Sequence, residues 1–370
     1  MKKQLSSLDL HFLLKEFEML ENSRISKIYN QEKNTILLSL YKTNVGKKLL
    51  KINIGQFLAI VEEKETEGES LGFGMLLRKH LDGFFLVSIE QLLPERIIKM
   101  TFKVKDETKY LYLGFFGKGN AILCNEHNVI INALEHYEFR ERVVKPKLKY
   151  VYPIMRYNIF DVSRKQMEEL FQNSRKDSIV TCLAVELGLG GVYSEEVCLL
   201  SEIDKNENPN NVDGKQIELL LGSIKEILNK KMNPEVILQD NNPVDATPFS
   251  LKFYEKSEKK NFSSFNEALS FFYSHFTEIK KTDFDKKLRG LQRIIDEQKQ
   301  AIAHLREEEK ELRVKGEFIY HKYNLVKEIL DEINKASKKH GWKEVKEKLK
   351  DHKIIKEVDE ENRKVIVEVD

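Results

Sequence analysis

The sequence predicts an α+β protein: two antiparallel strand groups flanking one amphipathic helix, then a helix-hairpin-helix and a long coiled-coil arm. Three observations carry this reading. Short apolar runs separated by turn residues recur through roughly the first 150 residues. A Gly-Leu-Gly-Gly connection joins two apolar helical segments at residues 188–191. A 4-3 spacing of mostly apolar residues runs from Phe284 to Ile333.

The first element is a helix over residues 8–21, with Leu10, Leu13, Leu14, Phe17 and Leu20 along one side. Ser6-Ser7-Leu8-Asp9 has the form of a capping box, in which Asp9 is a first-turn acid favouring the helix dipole. Four runs at 24–29, 35–41, 48–54 and 57–62, parted by turn-type breaks, form a meander.

Residues 70–105 are the stretch richest in signals. Ser70 is placed to cap a helix whose apolar positions are Phe73, Leu76, Leu77 and Leu81, with Gly83 as its left-handed stop. Arg78 and Lys79 sit together off its buried face. A strand over 84–92 is closed by Pro94, and Glu95 and Arg96 open the next. There Ile98, Met100, Phe102 and Val104 alternate with Ile97, Lys99, Thr101, Lys103 and Lys105, a face that suits a polyanion. Glu95 and Arg96 also read as an ion pair; an exposed one contributes only about 0–1 kcal/mol, a weak reason for placing both there. Strands at 109–116, 120–125 and 129–137 follow.

From Arg140 to Lys165 basic residues outnumber acids, with Tyr150, Tyr152 and Tyr157 between them. This suits either RNA contact or a solvated linker whose tyrosines pack on the domain. Next, an apolar helix ends at Gly188 and Ser194-Glu195-Glu196 opens a second. Gly188, Gly190 and Gly191 let backbone amides approach a phosphate, although short glycine connections also serve packing alone. A helix over 216–231, strands at 236–238 and 249–254, and a helix over 264–276 complete the globular part. In the heptad array Gln298, Glu309 and Gly316 interrupt the seam, so a break or antiparallel return is expected near Gly316. A short helix at 342–349 and a strand at 365–369 follow.

Composition narrows the classes. The chain has 370 residues, 41% hydrophobic and 33% charged, enough for a sizeable core and two or three domains. A net charge of +2 means that any nucleic-acid surface arises by local clustering. Cys124, Cys182 and Cys198 show no CxxC spacing, against a zinc ribbon or a disulfide framework. No apolar run approaches the roughly 20 residues that span a bilayer, and the MKKQ start lacks a signal-peptide core. A soluble cytoplasmic protein without membrane partner, metal or cofactor is expected. No Walker loop, GxSxG or HExxH is present, and lone histidines such as His80 and His136 read as ordinary surface residues.

The run MLLRKHLDGFFLVSIEQ with the acid-arginine step after it, the start SSLDLHFLLKEFEMLENSRISKIYN, the glycine hairpin, FNEALSFFYSHF and the heptad array occur in this order. Together they resemble the NFACT proteins, the RqcH/NEMF-type ribosome quality-control factors formerly labelled fibronectin-binding proteins. The resemblance implies an NFACT-N domain of glycosylase-like fold over residues 1–175, a helix-hairpin-helix domain over 176–235 and a return segment over 236–279 that packs on the first. It further implies a coiled-coil arm over 280–335, and a piece over 336–370 leading toward an NFACT-R domain. Family members continue into that domain, which adds subunit and tRNA contacts; this chain stops first, as a fragment or a split, shortened form would.

The implied function is non-enzymatic: binding a large ribosomal subunit, through rRNA and peptidyl-tRNA, and recruiting incoming tRNA for untemplated C-terminal tailing. The bonds are then made by the subunit's own peptidyl-transferase centre, with alanine the bacterial and archaeal habit. The family's functional acid maps onto Asp9 and its Asp-Arg pair onto Glu95 and Arg96, where glutamate lengthens the reach by one methylene. Arg78, Lys79, Lys99 and Lys103 join them as expected tRNA contacts. Two other readings compete. A DNA glycosylase or lyase would need an N-terminal proline and clustered cysteines, where this chain has Lys2, Lys3 and scattered cysteines. A fibronectin-binding adhesin would need a signal peptide or anchor.

Overall fold

The computed structural model describes residues 2–62, 72–139, 142–153, 155–350 and 353–368. The chain divides into two units, Met1–Lys280 and Lys281–Asp370. In the first, α1 (Ser7–Phe17) starts with the expected capping box: Ser6 accepts from the Asp9 amide while the Asp9 side chain accepts from the Ser6 amide. A 3-10 turn, Glu18–Leu20, extends it. The strands β1 (Ser23–Glu32), β2 (Thr35–Lys42), β3 (Gly46–Asn53) and β4 (Phe57–Val61) make the meander. Next come α2 (Gly72–Leu81), β5 (Phe85–Gln91), β6 (Ile97–Val104), β7 (Glu107–Gly114), β8 (Asn120–Asn125) and β9 (Ile130–Ala133). Ser70, the expected cap of α2, lies outside the described residues; Gly83 beyond it has φ +76°.

The two expected strand groups are one sheet. Its order is β4-β3-β2-β1-β5-β6-β7-β8-β9, and the groups are joined where Ser23 faces Leu86 and Arg24 faces Phe85. Pairing β1 with β5 satisfies backbone groups that two separate sheets would leave on open edges. One face holds the main core, in which Ile98, Met100 and Phe102 of β6 meet Leu10, Leu13 and Phe17 of α1. The other face of β6 is less uniformly cationic than its lysines suggest. Ile97 is buried there with Tyr112, Ile122 and Cys124, and Lys105 sits in a turn with φ +51°.

The expected irregular basic segment contains a hairpin, β10 (Tyr137–Phe139) with β11 (Arg142–Val144). Its tyrosines pack on the domain: Tyr157 is buried and the Tyr150 ring lies 4.7 Å from that of Tyr112. Four helices follow, α3 (Arg164–Asn173), α4 (Ile179–Val185), α5 (Gly191–Ser201) and α6 (Gly214–Leu228). They form a second core that takes Leu8 and Phe12 from the opposite side of α1. One amphipathic helix therefore serves two cores, because its apolar positions exceed a single stripe. The second helix of the pair opens at Gly191, three residues before the expected Ser194. Gly190, at φ +80°, makes the turn there.

A small sheet of β12 (Glu235–Gln239), β13 (Asn242–Thr247) and β14 (Glu258–Asn261), in the order β13-β12-β14, lies beyond the helices. The strand expected at 249–254 is instead a buried loop ending in a 3-10 turn, Lys252–Tyr254. The carboxylate of buried Glu196 holds that turn, accepting from the amides of Lys252 at 3.0 Å and Phe253 at 2.8 Å. The strands missed here are β13 and β14, and Pro243 of β13 is tolerated because β13 is an edge. Finally α7 (Phe265–His321) begins by burying Phe265, Leu269, Phe272 and Tyr273 in the main core, the Tyr273 ring stacked 3.8 Å from that of Phe57.

The second unit comprises the rest of α7, α8 (Tyr323–Lys348) and a hairpin of β15 (Ile355–Asp359) with β16 (Lys364–Val367). The helix α7 runs through Gly316 and ends at His321; Lys322 parts it from α8, which is kinked at Gly341. A helix-interior glycine costs only about 1 kcal/mol, too little to force the expected break. Of the heptad positions, Leu288, Leu291, Ile295, Ile302, Leu305, Leu312 and Ile319 are exposed, whereas Ile333 joins Ile355 and Val358 in a small core. The side chain of Phe284 is outside what is described.

Candidate functional site

The start of the chain builds the site. The Lys2 amide donates to the Val244 carbonyl at 2.7 Å, so the first residues lie along β13. The Lys2 ammonium then uses all its donors internally: it is 2.9 Å from both Asp9 oxygens, 3.1 Å from Asp245 Oδ1 and 2.6 Å from the Ala246 carbonyl. Burial alone would lower its pKa. The carboxylates of Asp245 and Asp9, with their hydrogen bonds, outweigh that and raise it.

Asp9 is fully buried and its oxygens are saturated. Oδ2 accepts from the Ser6 amide at 2.7 Å and the Ser6 hydroxyl at 2.8 Å, and Oδ1 accepts from Lys2 and from the Tyr193 hydroxyl at 2.8 Å. Asp245 Oδ2 accepts from the Tyr254 hydroxyl at 2.8 Å. Both tyrosines are held neutral, burial first and then the adjacent carboxylates raising their pKa values. The network Tyr254, Asp245, Lys2, Asp9, Tyr193 thus ties β13, α1 and α5 together.

Beside it opens a cavity of about 460 Å³ lined by Arg96, Gln4, Gly190, Gly191, Gln239 and members of the network. Arg96 enters from the turn between β5 and β6. Among the described residues its half-buried guanidinium makes one hydrogen bond, a long one of 3.4 Å from Nη1 to Gln4 Oε1. Burial lowers the Arg96 pKa, against the pull of Glu95 and Asp9, yet a guanidinium stays charged at neutral pH. Opposite, no side chain caps the start of α5, where the first amides of a helix have no partner within it. With the carboxylates engaged internally, the charged group left to a ligand is the Arg96 guanidinium, which together with the first amides of α5 suits an anion.

Of the expected site residues, Asp9, Arg96, Gly190 and Gly191 meet at this cavity. Glu95 is buried and does not line it, and Gly188 faces the Met155 side chain. Arg78 is on the exposed side of α2, its Nε donating to the Ile28 carbonyl at 2.5 Å, with Lys79 beside it. Lys99 stands over the Tyr110 ring at 4.4 Å, and Lys103 is exposed farther along β6. Lys2, Gln4, Tyr193, Asp245 and Tyr254 escape sequence reading because their partners are remote in the chain. Only the turn Asp240-Asn241 between two apolar runs could have revealed β13. Among the described residues no His/Cys/Asp/Glu cluster could hold a metal ion, and no helix is long and apolar enough to cross a membrane. All three cysteines are free and buried, their thiols pushed up to about 12 by burial.

A family model described as NFACT N-terminal and middle domains matches residues 6–365. The archaeal Rqc2 homolog aRqcH of Methanocaldococcus jannaschii is 28% identical over 392 residues, covering 99% of this chain and 58% of that protein. The human ribosome quality control complex subunit NEMF is 23% identical over 385 residues, covering 93% of this chain and 35% of that protein. The chain therefore spans little more than half the length of the first relative and about a third of the second. In fold, the fibrinogen binding protein from Staphylococcus aureus is similar with a TM-score of 0.61 at 20% identity, over 72% of this chain and 98% of that one.

Proposed function

Because this chain belongs to the NFACT family, we propose that it is an RNA-binding component of ribosome-associated quality control. In this reading it binds a cytoplasmic large ribosomal subunit that still carries peptidyl-tRNA and helps recruit tRNA, alanyl-tRNA by family habit, for untemplated tailing. The chain works by binding, and bond formation stays with the subunit. The observation that carries the reading is Arg96: a half-buried guanidinium with one long internal hydrogen bond, lining the same cavity as an uncapped helix start.

Each residue then has a physical role. Arg96 and the amides of Gly191 and its neighbours hold an RNA phosphate, charge-assisted and bidentate on the guanidinium side. Asp9, with no oxygen to spare, acts indirectly by fixing Lys2, Tyr193 and so the start of α5. Glu95 acts from behind by offsetting part of the cost of desolvating the Arg96 guanidinium. Lys79, Lys99 and Lys103 supply screened, longer-range attraction.

The test is binding of the full chain to isolated large subunits and to tRNA across a salt series. Arg96→Ala is expected to weaken binding about 10-fold or more and to make the salt dependence shallower, in preparations whose thermal melt shows a folded chain. Parent-like binding by Arg96→Ala at physiological salt would remove the cavity from the function.

A further inference from the structure

Five neighbouring strands carry a continuous row of exposed side chains on the sheet face turned away from the main core. Lys47 of β3 pairs with Tyr41 of β2, Tyr41 with Arg24 of β1, Arg24 with Phe85 of β5, and Phe85 with Lys103 of β6. Directly paired residues of antiparallel strands point to the same face. The next positions along, Leu40, Ile25, Leu86 and Phe102, are buried in the core on the opposite side. The row therefore reads cation, ring, cation, ring, cation.

Tyr41 is 52% and Phe85 43% exposed, and the three cations are exposed as well. Strands lie about 4.8 Å apart, so the row is roughly 19 Å long with its rings about 10 Å from each other. Val87, 38% exposed, and Lys27 extend the surface on either side of Phe85 and Arg24. No carboxylate belongs to the row, and the next residue in line, the β7 partner of Lys103, is the neutral Thr108. None of the five residues lines the Arg96 cavity.

We propose that this row is a docking platform for an unpaired stretch of RNA, its bases resting on Tyr41 and Phe85 and its phosphates on Lys47, Arg24 and Lys103. The alternation of charge and ring matches the alternation of phosphate and base along a single strand, and ring stacking needs base faces that a duplex does not present. A protein partner fits less well. Protein interfaces are depleted of lysine, and two of the three cations in the row, Lys47 and Lys103, are lysines.

The experiment uses the full chain and a labelled single-stranded oligouridylate, with fluorescence anisotropy read over a salt series. Tyr41→Ala with Phe85→Ala is expected to weaken binding by about 5-fold or more for each ring removed. Lys47→Gln, Arg24→Gln and Lys103→Gln should each reduce the slope of log affinity against log salt by about 0.7. A duplex RNA of equal length should bind more weakly and be indifferent to loss of the rings. Because all five side chains are exposed, unchanged thermal melts keep the comparison free of misfolding.

Ring variants that bind the oligouridylate like the parent would overturn the proposal, as would a duplex bound as tightly as the single strand. So would parent self-association that the ring variants abolish while RNA affinity holds, which would assign the face to a second copy. Failure here is separable from failure of the cavity reading. Arg96→Ala tests the cavity on large subunits, whereas the ring effect is measured on an oligonucleotide and should persist in the Arg96→Ala background.

Discussion

The ammonium of Lys2 stands 3.1 Å from the carboxylate of Asp245, so the second residue of the chain is locked to a strand near the end of the globular unit. The same nitrogen is bonded to Asp9, and two buried carboxylates are thereby held near one another by one cation. Lys2→Met leaves both without that partner. An expected loss of about 3–5 kcal/mol, read by urea denaturation, follows from leaving the remaining charge of a buried ion pair uncompensated. Adding Asp245→Asn to Lys2→Met should restore part of the loss, because it removes one of the stranded charges. A single variant as stable as the parent would mean that Lys2 is dispensable to the fold.

Tyr193 probes the other side of Asp9. Its hydroxyl donates at 2.8 Å to a fully buried carboxylate, a bond to a charged group. Tyr193→Phe keeps the ring in the helical core and is expected to lower stability by about 1.5–3 kcal/mol. It should also weaken tRNA binding without touching Arg96, since the start of α5 loses its tie to α1. Unaltered affinity alongside reduced stability would confine Tyr193 to a packing role.

His11 sets an acid-side pH dependence. Its ring lies 4.8 Å from that of Phe160, and burial, followed by the charge of Lys15, lowers its pKa from 6.5. The unfolded chain then takes up a proton more readily than the folded one. The stability present above pH 6.5 accordingly falls as pH drops through the folded-state pKa, and this contribution levels off below it. His11→Leu should show a smaller drop in unfolding free energy between about pH 7.5 and pH 5.5. Equal pH slopes in parent and variant would rule out His11 as the source.

Gly55 and Gly119 bring two turns of the sheet into backbone contact. A Cβ on Gly55 would stand 2.6 Å from the Lys118 carbonyl oxygen, and one on Gly119 would meet the Gly55 backbone. Gly46 also has positive φ, but open space around it. Gly46→Ala is therefore expected to cost only the left-handed backbone penalty of about 1–2 kcal/mol, and Gly119→Ala clearly more. Thermal melts that rank the two variants equally would refute the close approach.

Several local elements of this protein are legible in its sequence alone. The capping box at Ser6 and Asp9, the alternation along Ile98, Met100 and Phe102, and the stop at Gly83 depend on neighbours a few residues away. Periodicity and capping report such interactions directly. The sequence also marked Asp9, Arg96 and the glycine connection as candidates. Tertiary structure decided what those residues do. Asp9 looks like a helix cap in sequence and also proves to be the saturated centre of a network reaching Tyr193 and, through Lys2, Asp245. The joining of two strand groups at Arg24 and Phe85, and with it the row that ends at Lys103, likewise needs a register between distant segments. No local pattern encodes such a register. It follows from burying one face of each strand at once, and that choice exists only when the whole sheet is assembled.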